Sequence, residues 1–191
     1  MKKLLLILSL ISSFSIFAFS QTEEYDKGEF FAGYSSNSDL LDDSIPPVEH
    51  GFNVAGVYNV RQYVGIKVDV SGTYRPLRGS SYYQQNTQSA AAGVQFKDNR
   101  KDSRLKPFGH ILVGYGRNQY KFTCGAGSPC SVYDADTEGV SLVLGGGLDI
   151  KINRRIDIRA LQLDINPIIS TANRYGNYWN GRFSAGVILK F

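Results

Sequence analysis

The sequence predicts an all-β fold, an eight-stranded antiparallel up-and-down transmembrane β-barrel with four long extracellular loops. Three observations carry that expectation. The 191 residues include 20 Gly, 11 Phe and 12 Tyr against one Trp and one Met, with 42% hydrophobic and 20% charged residues, a composition suited to one all-β domain. From residue 29 onward the chain breaks into short segments of alternating polarity parted by turn-forming residues. The connections between these segments alternate in length. The hydrophobic content offsets ordering entropy, so disorder is excluded. Past the opening segment, no apolar run nears the roughly 18 to 20 residues a membrane helix needs. The net charge of +4 includes Lys2 and Lys3, and no basic pattern implies a nucleic-acid partner.

The opening MKKLLLILSLISSFSIFAFSQTEE joins a basic start to an apolar run from Leu4 to Phe19, with small residues at Ala18 and Ser20. This is the form of a signal peptide, and it divides the chain into residues 1–20, removed on export, and a barrel domain over 21–191. An N-terminal membrane anchor is the alternative, but the run is short for a span. Export implies an oxidising compartment, in which Cys124 and Cys130 of CGAGSPC suit a disulfide that staples a loop. With His50 and His110 far away in sequence, the two cysteines complete no metal-ligand set, and neither metal nor cofactor is expected.

Taken in order, the strands are expected near 29–36, 51–60, 63–74, 88–96, 107–116, 139–152 and 156–166, with the last ending at Phe191. Residues 63–74 show the period most cleanly. Val64, Ile66, Val68, Val70 and Tyr74 share one face with Gly72, and Gly65, Lys67, Asp69, Ser71 and Thr73 share the other. The C-terminal stretch repeats this with Phe183, Ala185, Val187, Leu189 and Phe191 against Arg182, Ser184, Gly186 and Lys190, broken by Ile188. Residues 139–152 repeat it too, broken by Val143. In 156–166 the apolar phase switches after Arg159, which a bulge near Ala160–Leu161 would explain. Residues 37–50, 75–87, 117–138 and 167–178 read as long connections, and KDNRKDSRLK (97–106) as a solvated turn.

Alternation alone does not say which face meets which solvent. A soluble ligand-carrying barrel would turn the aliphatic face inward. Strands of about ten residues fit a tilted bilayer crossing, and Tyr58, Tyr63, Tyr74, Tyr115, Tyr178 and Trp179 cluster near strand ends as an interfacial girdle would. The inverse arrangement therefore reads better, with an interior charge network of Lys67, Asp69, Asp149, Lys151, Arg182 and Lys190, joined by Asp157 and Arg159 if these face inward. An eight-stranded barrel is just wide enough for its own side chains, which argues against a general porin.

The segments GEFFAGYS, KPFGHILVGYG, LVLGGGLDIKI, RALQLDI and RFSAGVILKF resemble those of the small OmpA/OmpX-like, opacity-like outer-membrane barrels, over essentially residues 28–191. The resemblance implies localisation in the bacterial outer membrane among lipid and lipopolysaccharide. It also implies recognition by the outer-membrane assembly machinery through Phe183, Ala185, Val187, Leu189 and Phe191. The expected role is structural or surface-interacting, adhesion-like, through the loops of a monomer. A lipid-modifying barrel enzyme is the alternative; it would need a nucleophile beside His110, and the His-x-Ser pair of the deacylases is absent, so no catalytic residue is assigned. GGG at 145–147 opens no helix and reads as steric relief in a narrow barrel.

Overall fold

The computed structural model describes residues 25–39, 48–75, 83–122, 133–170 and 177–191. Eight strands form where polarity alternates: β1 (Gly28–Asp39), β2 (Glu49–Arg61), β3 (Val64–Arg75), β4 (Tyr83–Lys97), β5 (Leu105–Phe122), β6 (Tyr133–Lys151), β7 (Ile156–Ser170) and β8 (Tyr178–Lys190). Each pairs antiparallel with the next, and β8 returns to β1 through pairs such as Phe31↔Ile188 and Ser35↔Ser184, so the barrel closes without a free edge. The predicted signal peptide and the Cys124–Cys130 pair lie on residues 1–24 and 123–132, and parts of the four predicted loops on 40–47, 76–82, 123–132 and 171–176, outside the described residues.

The strands run further than the sequence reading allowed. β5 and β6 reach 18 and 19 residues, so the expected connection 117–138 is largely strand. The cause is the polar lumen. Gln85, Thr87, Asn118 and Thr137 are buried inward-facing residues, and where the interior is polar such residues imitate loop composition. KDNRKDSRLK is shortened for the same reason: Lys97 ends β4, Lys106 lies in β5, and both are buried, leaving 98–104 as the connection.

In β3, Gly65, Lys67, Asp69, Ser71 and Thr73 are buried while Ile66, Val68 and Val70 are exposed and Val64 is half-buried. A soluble carrier with an apolar lumen is overturned by this arrangement. The two residues that broke the pattern are inward too. Val143 packs with Ala91 and Leu112, and Ile188 with Phe31 and Ala55, giving two small apolar clusters inside the barrel. Tyr58, Tyr63, Tyr74, Tyr115 and Trp179 are exposed, but Tyr178 is buried and does not belong to the expected girdle. It points inward, accepts a hydrogen bond from Gln85 Nε2 at 2.9 Å and meets the Tyr120 ring edge-on.

In β7 the pairing jumps from Arg159↔Gly186 to Gln162↔Ser184, and on the other side from Leu148↔Leu161 to Asp149↔Arg159. One extra residue at Ala160–Leu161 therefore resets the phase. The bulge lets Asp157, Arg159, Gln162 and Asp164 all face inward. Glycines make the close approaches possible: a Cβ on Gly145 would collide with the Leu163 carbonyl and the Asp164 carboxylate, and one on Gly147 with the Leu161 carbonyl.

Candidate functional site

The lumen holds the molecule's concentrated chemistry. Among the described residues, six basic side chains (Lys67, Lys97, Lys106, Arg159, Arg182, Lys190) and six acidic ones (Glu29, Glu49, Asp69, Asp149, Asp157, Asp164) are buried, together with His110. Equal numbers matter because an uncompensated charge in a closed interior costs several kcal/mol, roughly, whereas a paired and hydrogen-bonded one is tolerated.

A central group surrounds Arg182. Its Nη1 donates to Asp69 Oδ1 at 2.8 Å, and its Nε and Nη2 donate to Asp164 Oδ2 at 2.9 and 2.7 Å. Lys67 Nζ lies 3.3 Å from Asp69 Oδ2 and 3.3 Å from His110 Nδ1, while His110 Nε2 faces Asp164 Oδ1 at 3.0 Å. Asn53 and Gln162 donate amide hydrogens to Asp69 and Asp164 at 2.9 and 2.6 Å. Five strands thus converge on one cluster.

Toward the end with the short turns, Asp149 accepts from Arg159 Nε at 2.8 Å and pairs with Lys97 Nζ at 2.7 Å, and Lys97 also reaches Glu29 at 2.8 Å. The Arg159 guanidinium is stacked between the rings of Phe31 and Phe108, 4.4 and 4.1 Å from their centroids, a cation–π arrangement in a site shielded from water. Lys190 pairs with Asp157 at 2.7 Å, with Lys106 approaching the same carboxylate at 3.7 Å. At the opposite end the layer is mostly neutral: Glu49 accepts from Thr73 and Thr87 at 2.5 and 3.0 Å, and Asn37 donates to Thr73 at 2.8 Å.

Of the six residues read from the sequence as interior charges, Lys67, Asp69 and Arg182 meet in the central group, while Asp149 and Lys190 occupy the lower groups. Lys151 stands apart. It is half-buried at the rim, where its Nζ bonds the Lys101 carbonyl. Sequence reasoning missed Glu29, Glu49, Lys97, Lys106 and Asp164, while His110 is the satisfied interior histidine it expected. Continuing the period of two from Gln95 to Lys97, and from His110 back to Lys106, would have found the two lysines. Both ring nitrogens of His110 face charged groups inside the barrel, and Ser184 bonds Ser35 at 3.2 Å instead.

The C-terminal residues named as an assembly signal line the outside. Phe183, Val187, Leu189 and Phe191 are exposed and Ala185 is half-buried. Phe191 is joined to Gly28 by two backbone hydrogen bonds, and its ring lies where a Gly28 side chain would go. At the other end, the outer surface carries Arg117 on Asp136 and Tyr115 on Glu138.

No protein-family model matches the sequence, and a comparison with curated proteins finds no match. Solved structures do match. Ail, the attachment invasion locus protein of Yersinia pestis, aligns with a TM-score of 0.63 at 16% identity, covering 88% of this chain and 100% of that one. Neisserial surface protein A aligns at 0.56 and 18% identity, covering 86% and 96%. The outer membrane protein OprG of Pseudomonas aeruginosa aligns at 0.52 and 12% identity, covering 90% and 99%. Closed antiparallel pairing, aliphatics outside and charges inside thus converge with these likenesses on one conclusion: the chain has the eight-stranded fold of bacterial outer-membrane β-barrels.

Proposed function

We propose that this protein is an integral component of a bacterial outer membrane, of the small OmpA/OmpX-like kind, with a structural or surface-interaction role and no general diffusion pore. The observation that carries the reading is the inversion of the barrel. Ile66, Val68, Val70, Val113, Leu163 and Val187 are exposed on the outside, while the lumen is filled by compensated charges and two apolar clusters. Lipid satisfies the first and a blocked channel follows from the second. In such barrels the short turns face the periplasm and the longer connections face outward. Contacts with other molecules fall to those connections. The one spanning 123–132, with its proposed Cys124–Cys130 staple, is the proposed main contact surface. The fold shared with a protein named for attachment and invasion supports an adhesion-like role.

His110 serves the lumen rather than catalysis in this reading, since both its nitrogens are engaged by Lys67 and Asp164. Fractionation and planar-bilayer recording test the proposal. The mature chain is expected in the detergent-extracted outer-membrane fraction, with migration that changes on boiling and no large steady conductance. A folded, detergent-free soluble protein would overturn it. Replacing 123–132 with a Gly-Ser connection, with whole-cell adhesion to immobilised matrix glycans and proteins as readout, tests the surface role.

A further inference from the structure

The short-turn end of the barrel opens into a cavity of about 700 Å³ lined by Lys101, Lys151, Arg154, Arg155 and Lys190, with Asp26, Asp102 and Phe191. Among the described residues, five bases line it against two acids. Lys190 is occupied by Asp157 and Asp26, and Lys151 by the Lys101 carbonyl. Arg154 and Arg155 are exposed in the turn 152–155, and the ion pairs of the described residues use neither guanidinium. That turn is itself built: Asn153 Oδ1 accepts from the backbone N–H groups of Arg155 and Ile156 at 2.8 Å each, fixing where the two arginines emerge. Beside them, on the lipid-facing side, stand Ile152, Leu189 and Phe191, at 56%, 49% and 78% exposure.

A positive cavity bordered by a strongly exposed aromatic and two aliphatics suits an amphiphile with an anionic head. A free anion would use the charges and leave Phe191 idle; a neutral lipid would use Phe191 and leave the arginines idle. We infer that this cavity is a binding site for the phosphate headgroup of an anionic phospholipid of the inner leaflet, with Arg154 and Arg155 as its phosphate ligands and acyl chains lying along Ile152, Leu189 and Phe191. Guanidinium groups match phosphate oxygens in a bidentate fork, and basic residues near a bilayer surface add attraction for anionic lipid that salt screens.

The inference rests on reading the chain as a membrane barrel whose short turns face the periplasm. Its test uses the mature protein refolded in a zwitterionic detergent, with heat-modifiable migration verified first, and native mass spectrometry of retained lipid. Phosphatidylglycerol is expected to be retained about tenfold over phosphatidylcholine, and Arg154→Glu with Arg155→Glu to abolish that preference while leaving migration unchanged. Both substitutions lie in an exposed turn, away from the lumen. Equal retention of the two lipids, an unaltered preference in the double variant, or inorganic phosphate displacing phosphatidylglycerol at equal concentration would each overturn the site. Loss of heat-modifiable migration in the wild-type chain would instead overturn the barrel reading, and the inference with it.

Discussion

Arg182 and Asp69 are 113 positions apart in the sequence, yet their Nη1 and Oδ1 atoms meet at 2.8 Å across the lumen. The same guanidinium holds Asp164, so one β8 side chain ties together carboxylates from β3 and β7. Arg182→Met should destabilise the barrel by about 3–5 kcal/mol, because it removes the guanidinium that two buried carboxylates share. Adding Asp69→Asn and Asp164→Asn should recover part of that loss. Urea titration of protein folded into lipid vesicles measures both.

The outward face predicts the opposite sensitivity. Val68 is 52% exposed toward the proposed hydrocarbon, and Val68→Arg should cost about 2–4 kcal/mol if it lies near the bilayer midplane. Ser71→Ala loses a 2.9 Å hydroxyl contact to Ser89 inside the lumen and should cost only about 1 kcal/mol. Parallel urea titrations in vesicles distinguish them, and equal costs would count against the assigned faces.

Glycines should differ by position. Gly145→Ala drives a methyl group into the Leu163 carbonyl and the Asp164 carboxylate, whereas a Cβ on Gly56 meets nothing within 4 Å. The first should cost roughly 1–3 kcal/mol through overpacking. The second should be close to neutral. Thermal loss of the folded gel band ranks the two variants.

Asp98, in the β4–β5 turn outside the barrel wall, is held below its ordinary value of 3.8, chiefly by the side-chain hydrogen bonds of Arg100. A carboxylate lowered by folding stabilises above its unfolded value, and that contribution disappears as pH falls through its lower folded value. The turn should therefore loosen only below about pH 4. An NMR titration of the Asp98 carboxyl should move upward in Arg100→Ala, and an unchanged midpoint would refute the pairing.

The proposed Cys124–Cys130 staple has a direct readout. Protein purified from the outer membrane without reductant should take up no thiol label until reduced, and then label both cysteines. Labelling before reduction would show free thiols.

The strand rhythm and the polarity of each face were legible because a lipid-facing barrel wall leaves a period of two in the sequence, clearest in residues 63–74. Less legible were strand ends and several members of the lumen network. Lys97 and Lys106 flank a turn dense in charge, so composition alone does not separate these buried lysines from exposed Lys101 and Arg104; only the period of two carried on from Gln95 and back from His110 does. The expected bulge at Ala160–Leu161 already puts Asp164 in the inward phase with Gln162, but the six-residue charge network stopped short of it. Val143 and Ile188 looked like pattern breaks, yet they are the apolar share of an otherwise polar filling.

Pairing in the lumen also constrains the order of assembly. Lys97 from β4 needs Glu29 from β1 and Asp149 from β6, while Asp157 from β7 draws on Lys106 from β5 and Lys190 from β8. A partly built sheet would carry carboxylates and ammonium groups without counterions into hydrocarbon. Each hairpin alone is thus a poor membrane guest, and only the complete circle of strands is a good one. Insertion and closure become a single event, with the charges acting as a tally that balances when the last strand arrives.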